Sequence, residues 1–496
     1  MTETAREGHE GLSRRRLLGR GAAVGAGITL TGTLASIFGS DTSVADTPAR
    51  VGRAKTPPGY GPLVSDPAGR LALPEGFSYT LIAKSGETVL ETGEPTPDRP
   101  DGTASFEGRQ NASILVTNHE ISSPGGNPVP HHDGMVYDAG AFGGTTTLEV
   151  DRHGNRVREF VSLAGTHNNC SGGKTPWGTW LSCEETEAVP TAQNGLTQRH
   201  GYVFEVDPYD NSRNLDPRPI KALGRYAHEA VVVDPARFQL YLTEDAGSPN
   251  GLVYRYTPPE SALPLRRGSL AALGPTDGRL EAMRAFDYGR FVADLSVAQV
   301  GTTYDVEWAD VPERDASAVS TRKQFNLPGG SGAPGGDATR SRKLEGAWWG
   351  HDGFYFVSSF ARNSDGSAAQ HDGQVWFLDP DEDTITLALA FAYTPGDQDD
   401  DPDGPDNITV SPFGGVILAE DGEGRQHLVG ADDRGKAFFF ARNDLPGSEE
   451  FTGPNFSADR RFLFANVQVP GHVFAITGPW RKAQGRNGDD GRSARG

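Results

Sequence analysis

Residues 228–246 read HEAVVVDPARFQLYLTEDA, which is an acidic residue, an apolar run, a turn, and a second apolar run that ends in acids. The same plan returns in three other segments: NNCSGGKTPWGTWLSCEET at 168–186, LEGAWWGHDGFYFVSSFAR at 344–362 and PDNITVSPFGGVILAEDGE at 405–423. SILVTNHE, which ends at Glu120, resembles the second half of an earlier copy. Short repeated strands with little helix predict an all-β fold, a β-propeller of about five to seven blades.

Two stretches interrupt the repeat. Residues 257–300 contain LAALGPTDGRLEAMRAF, whose composition favours helix, and residues 325–342 are rich in glycine. We expect both to lie outside the blades, as a helical insertion and a flexible loop. The predicted domains are a twin-arginine signal peptide at 1–45, an extended linker at 46–66, the propeller at 67–482 and a disordered tail at 483–496.

The N-terminal residues have the features of a twin-arginine export signal. Arginines 14–16 precede an uncharged, weakly apolar run at 21–40, and a small-residue cleavage site follows at 43–45. A membrane span needs about 20 nearly continuous apolar residues, and glycines and threonines interrupt this run. We expect export by the twin-arginine machinery to the periplasm, cell wall or exterior, without stable membrane association after cleavage. An uncleaved signal that stays as an anchor is the alternative.

The composition excludes two classes of protein. A net charge of -20 argues against a nucleic-acid partner, which needs a basic surface, and suits a protein that collects cations. Two cysteines are too few for a disulfide-stapled scaffold.

The acids of the repeat are predicted to meet. The innermost strands of a propeller line one channel, so equivalent repeat positions converge there. One predicted ring holds Cys170, Glu229, Glu345 and Asp406; a second holds Glu120, Glu184 or Glu185, Glu244 with Asp245, and Glu420 with Asp421. Crowded carboxylates require cations: oxygen ligands suit calcium, and carboxylates with one thiolate suit iron. The alternative is that these acids cap strand ends and accept backbone hydrogen bonds.

The two cysteines allow two interpretations. In an exported protein they could form one disulfide bond. However, Cys170 stands where the other copies carry Glu or Asp, which favours a ligand thiolate, and Cys183 lies in an alternating strand, which favours a buried structural side chain.

The blocks TNHE, NNCSGGKTPWGTWLSCEE, AHEA, TEDA, LEGAWW, PDN and AEDG, in this order between Leu73 and Trp480, resemble the PhoX alkaline phosphatases. The resemblance implies a six-bladed exported propeller that hydrolyses phosphate monoesters with a cluster of iron and calcium ions. The nucleophile of that family is a metal-bound oxygen in the channel, which agrees with the lack of a GxSxG elbow here. The family's iron-binding cysteine falls on Cys170, and the implied acidic ligands are Glu185, Glu229, Glu345, Asp406 and Glu420, with Glu120, Glu244 and Asp421.

A cation beside the metals should hold the phosphate oxygens, and the candidate catalytic residues are Lys343 and Arg225. The family has an arginine near the position of Lys343, where lysine offers a point charge instead of a bidentate fork. For each candidate, an ordinary surface charge is the alternative.

Three rival functions stay open. A calcium-dependent propeller lactonase or phosphodiesterase would keep the metals and change the reaction. A non-catalytic exported binding protein would use calcium structurally, and a quinone-dependent propeller dehydrogenase is a weaker option. For the phosphatase we expect a monomer whose partner is a small phosphate ester.

Overall fold

The computed structural model describes residues 59–395, 401–432, 435–447 and 449–480. The predicted signal peptide and C-terminal tail lie outside these residues, as does most of the predicted linker. The described residues form 27 strands and no α-helix, so the predicted all-β class is confirmed. None of their helices is long and apolar enough to cross a bilayer. The short 3-10 helices are Arg109–Asn111, Asn211–Asn214, Lys221–Leu223, Glu260–Ala262, Leu295–Val297, Thr321–Gln324 and Asn363–Asp365.

The first three blades follow one another along the chain, and each runs outward from its innermost strand. Blade 1 consists of β4 (Pro100–Glu107), β5 (Ser113–His119), β6 (Gly143–Val150) and β7 (Arg156–Thr166). Blade 2 consists of β8 (Asn169–Lys174), β9 (Trp180–Glu184) and β10 (Val203–Val206). Blade 3 consists of β11 (His228–Val233), β12 (Leu240–Glu244), β13 (Val253–Thr257) and β14 (Arg279–Asp287), with β15 (Arg290–Val292) and β16 (Thr303–Asp310) paired to β14.

Blades 4 to 6 complete the circle. Blade 4 consists of β17 (Leu344–Gly350), β18 (Gly353–Ser358), β19 (Gly373–Asp379) and β20 (Thr384–Phe391). Blade 5 consists of β21 (Pro405–Val410), β22 (Val416–Glu420), β23 (His427–Ala431) and β24 (Ala437–Asn443), extended by β2 (Leu71–Pro74) and β1 (Leu63–Ser65). Blade 6 consists of β25 (Phe451–Phe456), β26 (Phe462–Val467), β27 (His472–Thr477) and the N-terminal β3 (Ser78–Lys84), which closes the propeller.

The apolar core is divided among the spaces between blades. Separate clusters lie between blades 1 and 2, 2 and 3, 3 and 4, 4 and 5, 5 and 6, and 6 and 1. Strand β11 shows why: Val231 and Val233 join the cluster shared with blade 2, while Ala230 and Val232 join the one shared with blade 4. Alternate residues of a strand point to opposite faces, so an inner strand that is apolar on both faces is buried between two neighbouring blades. The six clusters therefore confirm six blades.

The prediction for residues 257–300 was wrong in part. Residues Arg279–Asp287 form β14, the fourth strand of blade 3, and not a helix. Leu280 and Ala282 pack toward blade 2, whereas Met283 and Ala285 pack toward blade 4. With this two-residue period the strand buries apolar side chains in two core clusters at once. The free energy of that burial outweighs the helical preference of the side chains. Residues 325–342 contain no strand and lie outside the blades, as predicted.

Candidate metal centre

The second residue of each innermost strand forms a ring around the channel, which we call the first ring. In blades 1 to 5 this residue and the one after it have no paired residue on the second strand of the blade. In blade 6 the same interruption of the pairing begins one residue later. Such β-bulges re-aim side chains. The first ring consists of Asp101, Cys170, Glu229, Glu345, Asp406 and Thr452.

Glycines let the innermost strands approach one another at this level. A Cβ on Gly346 would stand 2.8 Å from the Cα of Asn407 in the next blade, and a Cβ on Gly102 would stand 2.5 Å from the Cα of Ser171. Any side chain at Gly346 or Gly102 would therefore collide with the neighbouring blade. Glycine lets the backbones of adjacent innermost strands come into close contact beside the first ring.

The residue that directly follows the second strand of each blade belongs to a second ring. We call the residue that directly precedes the innermost strand the lead residue, and its carbonyl holds the backbone of the second-ring residue. In five blades the second-ring N–H donates to the lead-residue carbonyl at 2.8–3.2 Å, as in Asp421 to Gly404 and Gln468 to Glu450. The second ring consists of Glu120, Glu185, Asp245, Ser359, Asp421 and Gln468. The lead residues are Arg99, Asn168, Ala227, Lys343, Gly404 and Glu450.

Three acids that directly precede the second ring are turned to other partners. Glu184 accepts hydrogen bonds from His200 and from the N–H groups of Gly201 and Tyr202. Glu244 accepts from the Tyr254 hydroxyl at 2.6 Å and Arg322 at 3.1 Å.

Glu420, the third of these acids, accepts from the N–H of His427 at 2.7 Å and from its ring at 2.9 Å. The predicted ligands Glu244 and Glu420 therefore stand apart from the channel groups, because strand alternation aims their neighbours Asp245 and Asp421 the other way.

Three groups of side chains, which we call groups A, B and C, could each hold a metal ion, since one ligand atom of every member lies within 4.8 Å of the others. They share Glu229 and Asp406, so together they form one continuous arc from blade 2 to blade 6. Group A is Cys170, Glu185 and Glu229; group B is Glu229, Glu345 and Asp406; group C is Asp406, Asp421 and Glu450. Of the other predicted ligands, Glu120 lies in the second ring and accepts a hydrogen bond from Gln468 at 2.6 Å.

The electrostatics of the channel favour bound cations. Burial raises the pKa of eight acids here, and neighbouring carboxylates add to the effect for all of them except Asp245; the eight are Asp101, Glu120, Glu185, Glu229, Asp245, Glu345, Asp406 and Glu450. Glu229 is the extreme case, because it is fully buried and neither carboxylate oxygen has a hydrogen-bond partner among the described residues. A buried carboxylate without a donor is strongly unfavourable unless a cation binds it or a proton neutralises it.

The cysteines are both free, which contradicts the disulfide interpretation. Cys170 belongs to group A, and burial together with nearby Asp101 and Glu229 raises the pKa of its thiol. Only a cation would hold such a thiol as thiolate at neutral pH. Cys183 is fully buried in the cluster between blades 2 and 3, as predicted for a structural residue.

The ammonium of Lys343 lies beside acids of the channel. Its ammonium lies 3.1 Å from Glu345 Oε1 and 3.7 Å from Asp245 Oδ2, and its side chain is 36% exposed. These two carboxylates hold the pKa of Lys343 well above its usual range. The residue is therefore a permanent cation at the channel rim.

Arg225 does not face the channel, so the prediction of a phosphate-binding role is corrected. Its guanidinium donates to the carbonyls of Asp315, Glu187, His200 and Ala316 and is 5% exposed. Arg225 lies four residues before Glu229 and precedes the first residue of β11, and carbonyls of loop residues outside the rings hold its guanidinium. Its role is to satisfy buried backbone acceptors.

Two acids of the site were missed from the sequence. Asp101 occupies the first ring of blade 1, and Glu450 belongs to group C. Asp101 could have been found by counting back from Glu120, had the longer hairpin of blade 1 been allowed for. Glu450 had no such signal, since blade 6 carries Thr452 and Gln468 at the ring positions.

The similarities of this chain to curated proteins and to solved structures are weak. No curated protein matches the chain. A gluconolactonase from Xanthomonas campestris aligns with 11% identity and a TM-score of 0.37, covering 86% of this chain and 99% of its own. The PQQ domain of pyranose dehydrogenase from Coprinopsis cinerea aligns with 10% identity and a TM-score of 0.37, covering 82% and 97%. Likenesses this weak support no inference about activity.

The family comparison is more informative. The sequence model of the family described as "Alkaline phosphatase PhoX" matches residues 58–158 and 154–471, which include every member of groups A, B and C. Because this match covers most of the 496 residues, the chain belongs to the PhoX family of alkaline phosphatases.

Proposed function

We propose that this protein hydrolyses phosphate monoesters in the propeller channel, with calcium and iron bound by the arc of groups A, B and C. The observation that carries the proposal is Glu229 in a PhoX-family chain: its buried carboxylate has no hydrogen-bond partner among the described residues, and the residue belongs to both group A and group B. A carboxylate shared by two adjacent groups is suited to bridge two ions.

The ligand atoms of groups A, B and C indicate which metal each group would bind. Group A combines the Cys170 thiol with two carboxylates and suits iron, while the all-oxygen groups B and C suit calcium. Bound ions would neutralise charge on the phosphate and lower the pKa of the water that attacks phosphorus. Group C includes an exposed residue, Asp421, so its ion would exchange most readily with solvent.

The protein's own cation completes the site. Lys343 holds its ammonium beside Glu345, at the edge of group B, and one side of it is exposed. A phosphate over group B would accept a hydrogen bond from this ammonium, which would orient the ester and offset its charge against the acidic walls.

We also propose that the protein is exported by the twin-arginine route and acts as a monomer on small phosphate esters outside the cytoplasm. The paired arginines of the first residues support this route, which carries folded proteins. Cell fractionation of the native host, compared with a variant in which Arg14 and Arg15 are replaced by lysine, tests the location. Retention of both forms in the cytoplasm would contradict it.

The test of function joins metal analysis to turnover. Protein folded in its native host should contain calcium and iron, hydrolyse p-nitrophenyl phosphate between about pH 7 and 10, lose activity with a chelator and regain it with both metals. Calcium without iron, with turnover of lactones or phosphodiesters but not monoesters, would show instead that the propeller runs another reaction. Calcium without any turnover would identify a binding protein.

A further inference from the structure

Arg99 occupies the position in blade 1 that Lys343 occupies in blade 4. Both are lead residues with left-handed backbone, at φ 50° and 38°. The carbonyl of Arg99 accepts the N–H of Glu120 at 3.0 Å, and that of Lys343 accepts the N–H of Ser359 at 2.9 Å. In a six-bladed propeller, blades 1 and 4 face each other across the channel. The rim therefore carries two cations on opposite sides.

The Arg99 side chain is exposed, and only part of its guanidinium is used. Nη1 donates to Gln468 Oε1 at 2.7 Å, and Gln468 Nε2 in turn donates to Asp101 at 2.9 Å and Glu120 at 2.6 Å. An arginine has five N–H donors. Within the described part of the chain the other donors of Arg99 have no acceptor, so they are available to a ligand in the channel mouth.

The metal groups leave blade 1 open. Groups A, B and C run through blades 2 to 6, and neither Asp101 nor Glu120 belongs to any of them. Lys343 stands at the middle of this arc and Arg99 at its gap. If a phosphate is held near Lys343 and group B, a leaving group that extends across the channel toward blade 1 would meet Arg99.

We propose that Arg99 binds a second anionic group on the leaving group, so that the preferred substrates are phosphate monoesters whose alcohol also carries a carboxylate or another phosphate. The inference rests on the proposed phosphatase function. Its physical reason is charge: the acidic rings repel an anionic leaving group, and a guanidinium can pair with a carboxylate or phosphate through two parallel hydrogen bonds.

The test compares two esters of similar size. The metal-loaded full-length protein should show a higher kcat/KM for 3-phosphoglycerate than for glycerol 2-phosphate. Arg99→Gln should lower kcat/KM for 3-phosphoglycerate about tenfold, mainly through KM, and change glycerol 2-phosphate less than about twofold. Arg99→Lys should restore part of the preference. Equal losses for both esters, or no loss, would overturn the proposal.

Two controls separate binding from structural support. Gln468→Met keeps Arg99 and removes the amide beneath it, and should preserve the preference; if it abolishes the preference as Arg99→Gln does, Arg99 acts through Gln468 and the proposal fails. Arg218→Gln, at an exposed arginine that pairs with Asp216, should leave both esters unchanged. A general effect of removing one surface charge would appear in this variant too.

Failure of the proposed function stays distinguishable. If wild-type protein turns over neither ester, calorimetric binding of the same two compounds still decides the role of Arg99. Tighter binding of 3-phosphoglycerate that disappears in Arg99→Gln supports the assignment. Equal affinities in both proteins refute it.

Discussion

Replacing Glu229 with glutamine should stabilise the metal-free protein at alkaline pH. The side chain is fully buried, both of its oxygens lack a donor among the described residues, and Glu345 and Asp406 add their charges. Glutamine keeps the shape and removes the charge, and its amide can donate to the neighbouring carboxylates. When no ion is bound, the substitution therefore removes an unfavourable interaction.

The size of the effect has an upper bound. A buried carboxyl can always escape its charge by taking up a proton, at a cost of about 1.4 kcal/mol for each pH unit above its ordinary pKa of about 4.3. The cost of Glu229 to folding is therefore at most about 5 kcal/mol at pH 8 and about 1 kcal/mol at pH 5. With an unfolding entropy of about 2 cal/mol/K per residue over roughly 420 residues, 1 kcal/mol shifts Tm by about 1 °C.

The sign with pH follows from the raised pKa. Between the ordinary pKa and the raised one, folded protein binds more protons at Glu229 than unfolded protein does, so metal-free stability falls as pH rises through this window. Below the ordinary pKa the carboxyl is neutral in both states and the penalty vanishes. Glu229→Gln should thus gain about 2–5 °C at pH 8 and about 1 °C or less at pH 5.

Thermal unfolding of chelated protein at both pH values measures this difference. Glu281→Gln is the matched control, because Glu281 is equally buried but pairs with Arg255 at 3.0 Å and Arg279 at 3.0 Å. That variant should lose stability at both pH values. A Glu229→Gln protein that melts lower than wild type at pH 8, or gains the same at pH 5, would refute the reasoning.

Three other substitutions test the assignments. Cys170→Ser should remove iron and activity, whereas Cys183→Ser should keep the metals and cost about 1 kcal/mol of stability, measured by elemental analysis and melting; identical behaviour would contradict the ligand role. Lys343→Ala should raise KM or lower kcat by about 10–100-fold at unchanged metal content, and unchanged kinetics would remove it from the site. Arg225→Ala should lower Tm by about 2–4 °C and leave KM unchanged, because four backbone carbonyls lose their hydrogen-bond donor. An increase in KM like that of Lys343→Ala would show that Arg225 binds substrate after all.

The first ring was predictable because the hairpin from the innermost to the second strand has nearly constant length. Cys170 and Asp406 each precede their second-ring acid, Glu185 and Asp421, by fifteen residues, so one pattern finds both. The second ring was harder to predict. The bulge at the first ring skips two residues of the inner strand, so the sequence alone could not decide between Glu420 and Asp421. Only the register of the folded hairpin makes that choice.

The missed features have physical causes of their own. In blade 1 the interval from Asp101 to Glu120 is nineteen residues, because the hairpin is longer, and the pattern fails there. β14 was misread because Leu, Ala and Met are good helix formers, and only the two flanking cores make the extended form preferable. Arg225 was chosen for its charge, and its loop carbonyl partners come from residues up to 91 positions away.

The same geometry explains why ions and chain closure must support each other. Groups A to C run from Cys170 to Glu450, so an ion held in each group would cross-link consecutive blades, as a disulfide would. Glu450, at the far end of the arc, precedes β25 of blade 6, and that blade is complete only when N-terminal β3 pairs with β27. Without ions the crowded carboxylates oppose closure; without closure the last ligands are not assembled. We therefore expect metal binding and the final step of folding to be linked in this propeller, so that closing the chain raises its affinity for the metals.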